Sequence, residues 1–417
     1  MGKTHFYLVI ALLILILVLL AGCTTQPQGT VTQTPTTVPT TAVATTTVTG
    51  PVKYTKAQVD LKLQMRKLWT DHTVWTRMYI IESLDNPDAA GPAATRLLQN
   101  QVDIGNAIKP IYGEAAGNQL TALLQQHILI AVNIINDVKA RNATAQAADE
   151  AAWTQNADQI AAFLAGANPN WPPATLQDLM HAHLATTKAE LVARYTKNYT
   201  ADVEAYDAVY NHILMMSDAL SDGIIAQYPD KFGGPMVYTQ GDLDLMNGMR
   251  KLWTDHTVWT RCYIIESLGN SSAAGPAATR LLQNQDDIGN AIKPVYGDPA
   301  GTQLTALLKQ HILIAVNIID DVKAGNSTAQ ASDETLWTRN ADQIAAFLAN
   351  ANPNWPLPAL EEAMHMHLST TKNELVARYT GNYQADVTAY DAVYNHILTM
   401  ADTLSSGIIK QYPDKVG

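Results

Sequence analysis

Beyond residue 50 the apolar positions of the chain recur three and four residues apart almost without interruption, and Pro and Gly supply the breaks. No stretch alternates with a period of two between turn residues, so no strands are expected. Six helices are predicted in the first part of this region, over about 57–84, 91–109, 115–140, 144–165, 172–197 and 200–228. Asn86-Pro87, Lys109-Pro110, Asn168-Pro169-Asn170-Trp171-Pro172 and Tyr228-Pro229 are the punctuation.

The pattern then repeats. MRKLWTDHTVWTRMYIIESL, residues 65–84, returns at residues 249–268 (249 − 65 = 184) with Cys262 in place of Met78. The match reaches upstream to Gly50-Pro51 against Gly234-Pro235. Residues 50–233 and 234–417 are thus two units of equal length, with roughly four positions in five identical over most of their span, as expected for tandem duplication of a complete domain. The architecture this predicts is all-α: two tandem six-helix bundles, joined at Gly233-Gly234-Pro235, where a bend is permitted.

The first 49 residues follow another pattern. Lys3 precedes an apolar run over residues 6–21 that ends in Leu20-Ala21-Gly22-Cys23. Such a run has the length of a secretory h-region, and its end resembles the lipobox of prokaryotic lipoproteins, so residues 1–23 are predicted to be a lipoprotein signal with Cys23 lipidated. An uncleaved signal anchor is the alternative, and the rest of the chain is exported either way. Residues 24–49 are rich in Thr and Pro and nearly free of charge, too poor in large apolar groups to offset the entropy of ordering, and are expected to form a disordered stalk. The predicted location is the outer face of the cytoplasmic membrane or the cell surface, with sequons at Asn142, Asn198, Asn270 and Asn326.

Charge and cysteine content narrow the functional classes. A formal charge of -11 and no basic stripe argue against a nucleic-acid partner, because phosphate binding draws on clustered Lys and Arg. Two cysteines make no disulfide framework, and Cys262, standing where the other unit has Met, reads as a small core residue.

Helical spacing turns one histidine inward on each of four helices: His72, His127, His183 and His212, repeated as His256, His311, His367 and His396. His181 and His365 are turned away. Asp103 and Asp158, with their copies Asp287 and Asp342, lie near the same faces, as do Asn100 and Asn156. Imidazoles converging with a carboxylate in a bundle core suit Zn, Fe, Cu or Mn, since neutral ring nitrogens bind borderline ions. The simpler reading is that each His is a core residue satisfied by a neighbouring amide, hydroxyl or carbonyl. Retention in both units decides little at this level of identity, and no helix carries two ligands at chelating intervals. Trp69, Trp75, Trp153 and Trp171 read as core, and Arg77 as a solvated or salt-bridged helix residue. There is no Walker loop, dinucleotide fingerprint, nucleophile elbow or His-Glu-x-x-His, and no general base is identifiable, so an enzyme is the less expected outcome.

The strings LWTDHTVWTR, RLLQNQVDIGNAIKPIYG, LTALLQQHILIAVNII, NADQIAAFLAGANPNWP and HILMMSDALSDGIIAQYPDKF together resemble a family of small helical proteins of bacteria and some archaea, usually with one unit per chain. The resemblance covers both units nearly end to end and excludes the signal and stalk. It implies an all-helical fold and a part in fold or site for His72, Asp103, His127, Asn156, Asp158, His183 and His212, without implying a chemistry. Two functions stand on these residues: a membrane-anchored protein binding a metal ion or small ligand through core histidines, or a structural or interaction module with ordinary core histidines.

Overall fold

The computed structural model describes residues 53–416; the predicted signal, Cys23 and the predicted stalk lie outside them. The described chain is all-α. Six long helices form the first half: α1 (Lys56–Asp85), α2 (Pro87–Tyr112), α3 (Glu114–Ala140), α4 (Ala143–Ala167), α5 (Pro173–Tyr195) and α6 (Tyr199–Gln227). Helices of the same lengths follow in the second half: α7 (Gln240–Gly269), α8 (Ser271–Tyr296), α9 (Asp298–Ala324), α10 (Ser327–Ala351), α11 (Leu357–Tyr379) and α12 (Tyr383–Gln411). The short α13 (Pro413–Val416) closes the chain, where the first half has a 3-10 turn over Pro229–Phe232.

Local chemistry places the helix ends. Thr55 accepts from the Gln58 amide while the Gln58 side chain accepts from the Thr55 amide, a reciprocal cap that starts α1; Thr239 and Asp242 start α7 the same way. Helix α2 begins at Pro87, four residues before the expected start, because a proline in the first turn has no amide that the helix needs. It also runs through Pro110 to Tyr112, where Gly113 takes φ 88° and stops it.

One expectation fails, the absence of strands: β1 (Lys53–Thr55) pairs antiparallel with β2 (Met236–Thr239), with Tyr54 opposite Tyr238. Three and four residues are too few to show an alternation in sequence. One continuous apolar core runs through both halves of the described chain.

The contact between halves is self-complementary, as in an isologous dimer. Trp75 meets Tyr390 edge-on at 5.7 Å and Tyr206 meets Trp259 at the same distance. Arg77 lies over Tyr206 and Trp259, and Arg261 over Tyr390 and Trp75. Arg77 is 1% exposed, so of the two readings expected for it the salt-bridged one holds and the solvated one does not: it holds Glu190 at 2.9 Å and Asp202 at 3.1 Å inside the protein. Arg194 reaches across to Glu266 at 2.6 Å, and Arg378 to Glu82 at 2.5 Å. Trp171 packs on α6 where only glycine fits, since a Cβ on Gly223 would lie 1.9 Å from its Nε1.

Candidate functional site

Four helices bring the histidines to the middle of each half. His183 on α5 is the hub: its ring centroid lies 5.4 Å from His72 on α1, 6.0 Å from His127 on α3 and 6.3 Å from His212 on α6. In the second half His367 stands 5.5 Å from His256 and 5.9 Å from His311. His72, His127 and His183 are buried; His212 is only partly so.

The hydrogen bonds separate the four. His212 donates Nε2–H to the Leu179 carbonyl at 2.9 Å, and His396 repeats this to Ala363 at 2.8 Å, so these two are tied to a backbone acceptor rather than to the cluster. His127 Nδ1 lies 2.8 Å from Asn156 Oδ1, and Asn156 Nδ2 donates to the Leu123 carbonyl. That fixes Asn156 Oδ1 as acceptor and His127 Nδ1 as donor, leaving His127 Nε2 a bare lone pair, buried and unpartnered. His311 and Asn340 repeat the geometry at 2.8 Å. His72 Nε2 stands 3.4 Å from His183 Nε2, longer than a normal hydrogen bond, and the Nδ1 of both rings lacks a partner. Gln101, fully buried on α2, stands beside His72, near enough to act on the ring as a hydrogen-bond partner though without a bond of normal geometry.

Burial keeps these rings neutral. Desolvation lowers His72 to about 3, helped by the charge of its neighbour His127, and lowers His127 itself to about 4. His183, facing three other imidazoles, is pushed well below the ordinary value. His256 and His311 follow at about 3 and about 4. At neutral pH each half therefore holds three uncharged imidazoles with lone pairs turned inward or unused.

The predicted carboxylates are elsewhere. Asp158 accepts from the exposed His181 at 2.9 Å and from Gln177 at 2.8 Å, and Asp342 accepts from His365 at 2.7 Å. Asp103 accepts from Gln99 and faces Arg96, and Asp287 faces Arg280. All four sit half-exposed with surface partners, so the expectation that they complete a core site is corrected: a carboxylate with a hydrated partner has no reason to enter an apolar core. Among the described residues no three His, Cys, Asp or Glu side chains stand close enough to make a ready metal site. Sequence reasoning missed Gln101 beside the cluster. Gln101 lies among Leu97 and Ile104 on one face of α2, a spacing that could have flagged it as an inward polar residue.

One turn along from the histidines each half has a narrow apolar cleft. In the first it is lined by Thr76, Ile80, Ile135, Trp153, Thr187 and Leu191 among others, with Lys188 and Glu150 at the rim; in the second, Thr260, Ile264, Ile319, Trp337, Thr371 and Leu375 take those places.

No protein-family model matches the chain, and no curated protein and no solved structure matches it either. The fold and cluster define its class: an all-α protein of twelve long helices in two like halves, with a neutral imidazole cluster buried in each.

Proposed function

We propose that this chain is a membrane-tethered, extracytoplasmic binding protein in which each half takes up one divalent transition-metal ion between His72, His183 and His127, and between His256, His367 and His311. The observation that carries this reading is the 3.4 Å between His72 Nε2 and His183 Nε2. Nitrogens bound to one tetrahedral ion at about 2.0–2.1 Å lie roughly 3.3 Å apart, so the pair already has the spacing of two ligands. His127 would supply the third: Asn156 holds its far nitrogen, as outer-shell acceptors hold metal-bound imidazoles, and its Nε2 is free, with the ring 6.0 Å from His183, so the ring must move toward the pair to close the set. His212, Asp103 and Asp158 have no part in it. The tether is the predicted lipid on Cys23, and the acidic surface suits no nucleic acid.

Metal analysis after separate exposure to Zn, Fe(II), Cu and Mn followed by desalting tests this. We expect about two ions per chain for one of these metals, one per half, and loss of both in His127→Ala His311→Ala protein that retains its helical signal. Metal-free protein, with thermal stability indifferent to chelators and added ions, would leave the histidines as core residues and the protein as a structural or interaction module.

A further inference from the structure

Nothing so far assigns a role to the two clefts, yet they are built alike. The walls of the first are hydrocarbon: Ile80, Ile128, Ile134, Ile135 and Leu191. Two residues in these walls carry a polar atom that is itself sealed from the free space, so an occupant reaches it only by parting the walls. Trp153 Nε1 and Thr187 Oγ1 are buried, both residues 6% exposed, and neither has a hydrogen-bond partner. Trp337 Nε1 and Thr371 Oγ1 are in the same condition in the second half. An indole N–H can only donate, and a hydroxyl can donate too, so the unmet need on each cleft wall is for an acceptor.

The rim says what charge the acceptor carries. Lys188 and Glu150 neutralise each other at 2.6 Å, Gln146 adds a bond to Glu150 at 2.8 Å, and Lys372 with Glu334 repeats the pair at 2.7 Å. No uncompensated charge faces the mouth. The free space, about 30 Å³, is enough for one or two waters, so an occupant larger than that must part the Ile and Leu walls and be compact.

We propose that each cleft binds a compact neutral molecule with a hydrocarbon body and a single acceptor oxygen, such as a short-chain ketone or alcohol, its oxygen taken by Trp153 and Thr187 or by Trp337 and Thr371. Thr76, Ala131 and Thr187 follow His72, His127 and His183 by four residues each, so the cleft floor is the next turn of the faces that carry the imidazoles. A molecule held there lies beside the proposed metal, but its binding does not rest on that reading and is tested on chelator-treated protein.

The experiment uses the purified chain labelled with 15N-tryptophan, with 2-heptanone as the probe and heptanoate as the charged control. Saturable shifts are expected in two indole N–H signals, the ones lost in Trp153→Phe and Trp337→Phe protein, and heptanoate should leave them in place. Thr187→Val with Thr371→Val, close in shape to the residues replaced, should weaken binding about fivefold by removing one hydrogen bond. Ala131→Phe with Ala315→Phe should fill the clefts and abolish the shifts. Indole signals that stay fixed up to the solubility limit of the ketone, or that move equally in the valine variant, overturn the proposal and leave the clefts to water.

Discussion

The histidine cluster and the arginine network between the halves are both polar sets sealed in a protein interior, and they solve burial in opposite ways. Arg77, Arg194, Arg261 and Arg378 cannot give up their charge, and each is surrounded by carboxylates: Glu190 and Asp202 on Arg77, Glu266 on Arg194, Glu374 and Asp386 on Arg261, Glu82 on Arg378. The histidines discard their proton instead. A neutral imidazole can be buried without a counter-ion, and so His72, His127 and His183 keep nitrogens that no protein group uses. The first arrangement commits its groups to holding two halves together; the second keeps a capacity to bind.

The largest effect expected from this contrast is on acid stability. His72 and His256 have folded values of about 3, and His127 and His311 of about 4, against 6.5 in the unfolded chain. Because the folded values are the lower ones, the stability from neutral burial is complete above pH 6.5 and drains away as pH falls toward 3, at up to about 1.4 kcal/mol per group per unit. Glu190 and Glu374, which burial raises to about 7 against the pull of Arg77 and Arg261, act in the other direction, losing stability as pH rises from 4.5 to 7. Asp71, Glu82, Asp255 and Glu266, also raised by burial, add to that opposing effect, but the imidazoles are displaced over the wider pH span, so urea unfolding from pH 7 to 4 should show a net loss. A flat profile would mean the rings are not buried neutral.

Smaller, and confined to the other region, is the cost of Arg194→Ala. It strands Glu266, a 2%-exposed carboxylate, without its partner and should destabilise the chain by about 3–5 kcal/mol, whereas Arg66→Ala, at a more exposed pair with Asp218, should cost under about 1 kcal/mol. Equal effects in denaturant melts would remove the distinction. Below the Arg194 effect stands Cys262→Met. Arg77 Nε lies 3.4 Å from Cys262 Sγ, while Arg261 Nε, opposite Met78, has no partner. Putting the larger side chain at this packed position should cost about 1–3 kcal/mol, measured the same way.

Much of this was legible in residue order. The helices, their count and most of their breaks follow from apolar spacing and proline, and Trp153, Trp171, His72, His127 and His183 are inside as that spacing requires. Residue order left open whether Arg77 is solvated or salt-bridged. Its own helix offers no carboxylate three or four residues away, and the partners that make its burial possible, Glu190 and Asp202, are 113 and 125 residues away. Asp103 and Asp158 were drawn toward the site by helical phase alone, which places a residue on a face but does not say which neighbour it meets there. His212 failed similarly, since the Leu179 carbonyl that takes its proton is a backbone group with no signature in the sequence.

What the sequence determined by itself was periodic and local: the helices, the duplication and the set of inward residues, because each depends on neighbours within a few positions of the chain. Tertiary structure alone decided that the two halves share one core and which polar groups are spent and which are left over. Pairing is a relation between residues a hundred or more positions apart, and only the packed helices bring Arg378 to Glu82, or His72 to within 3.4 Å of His183.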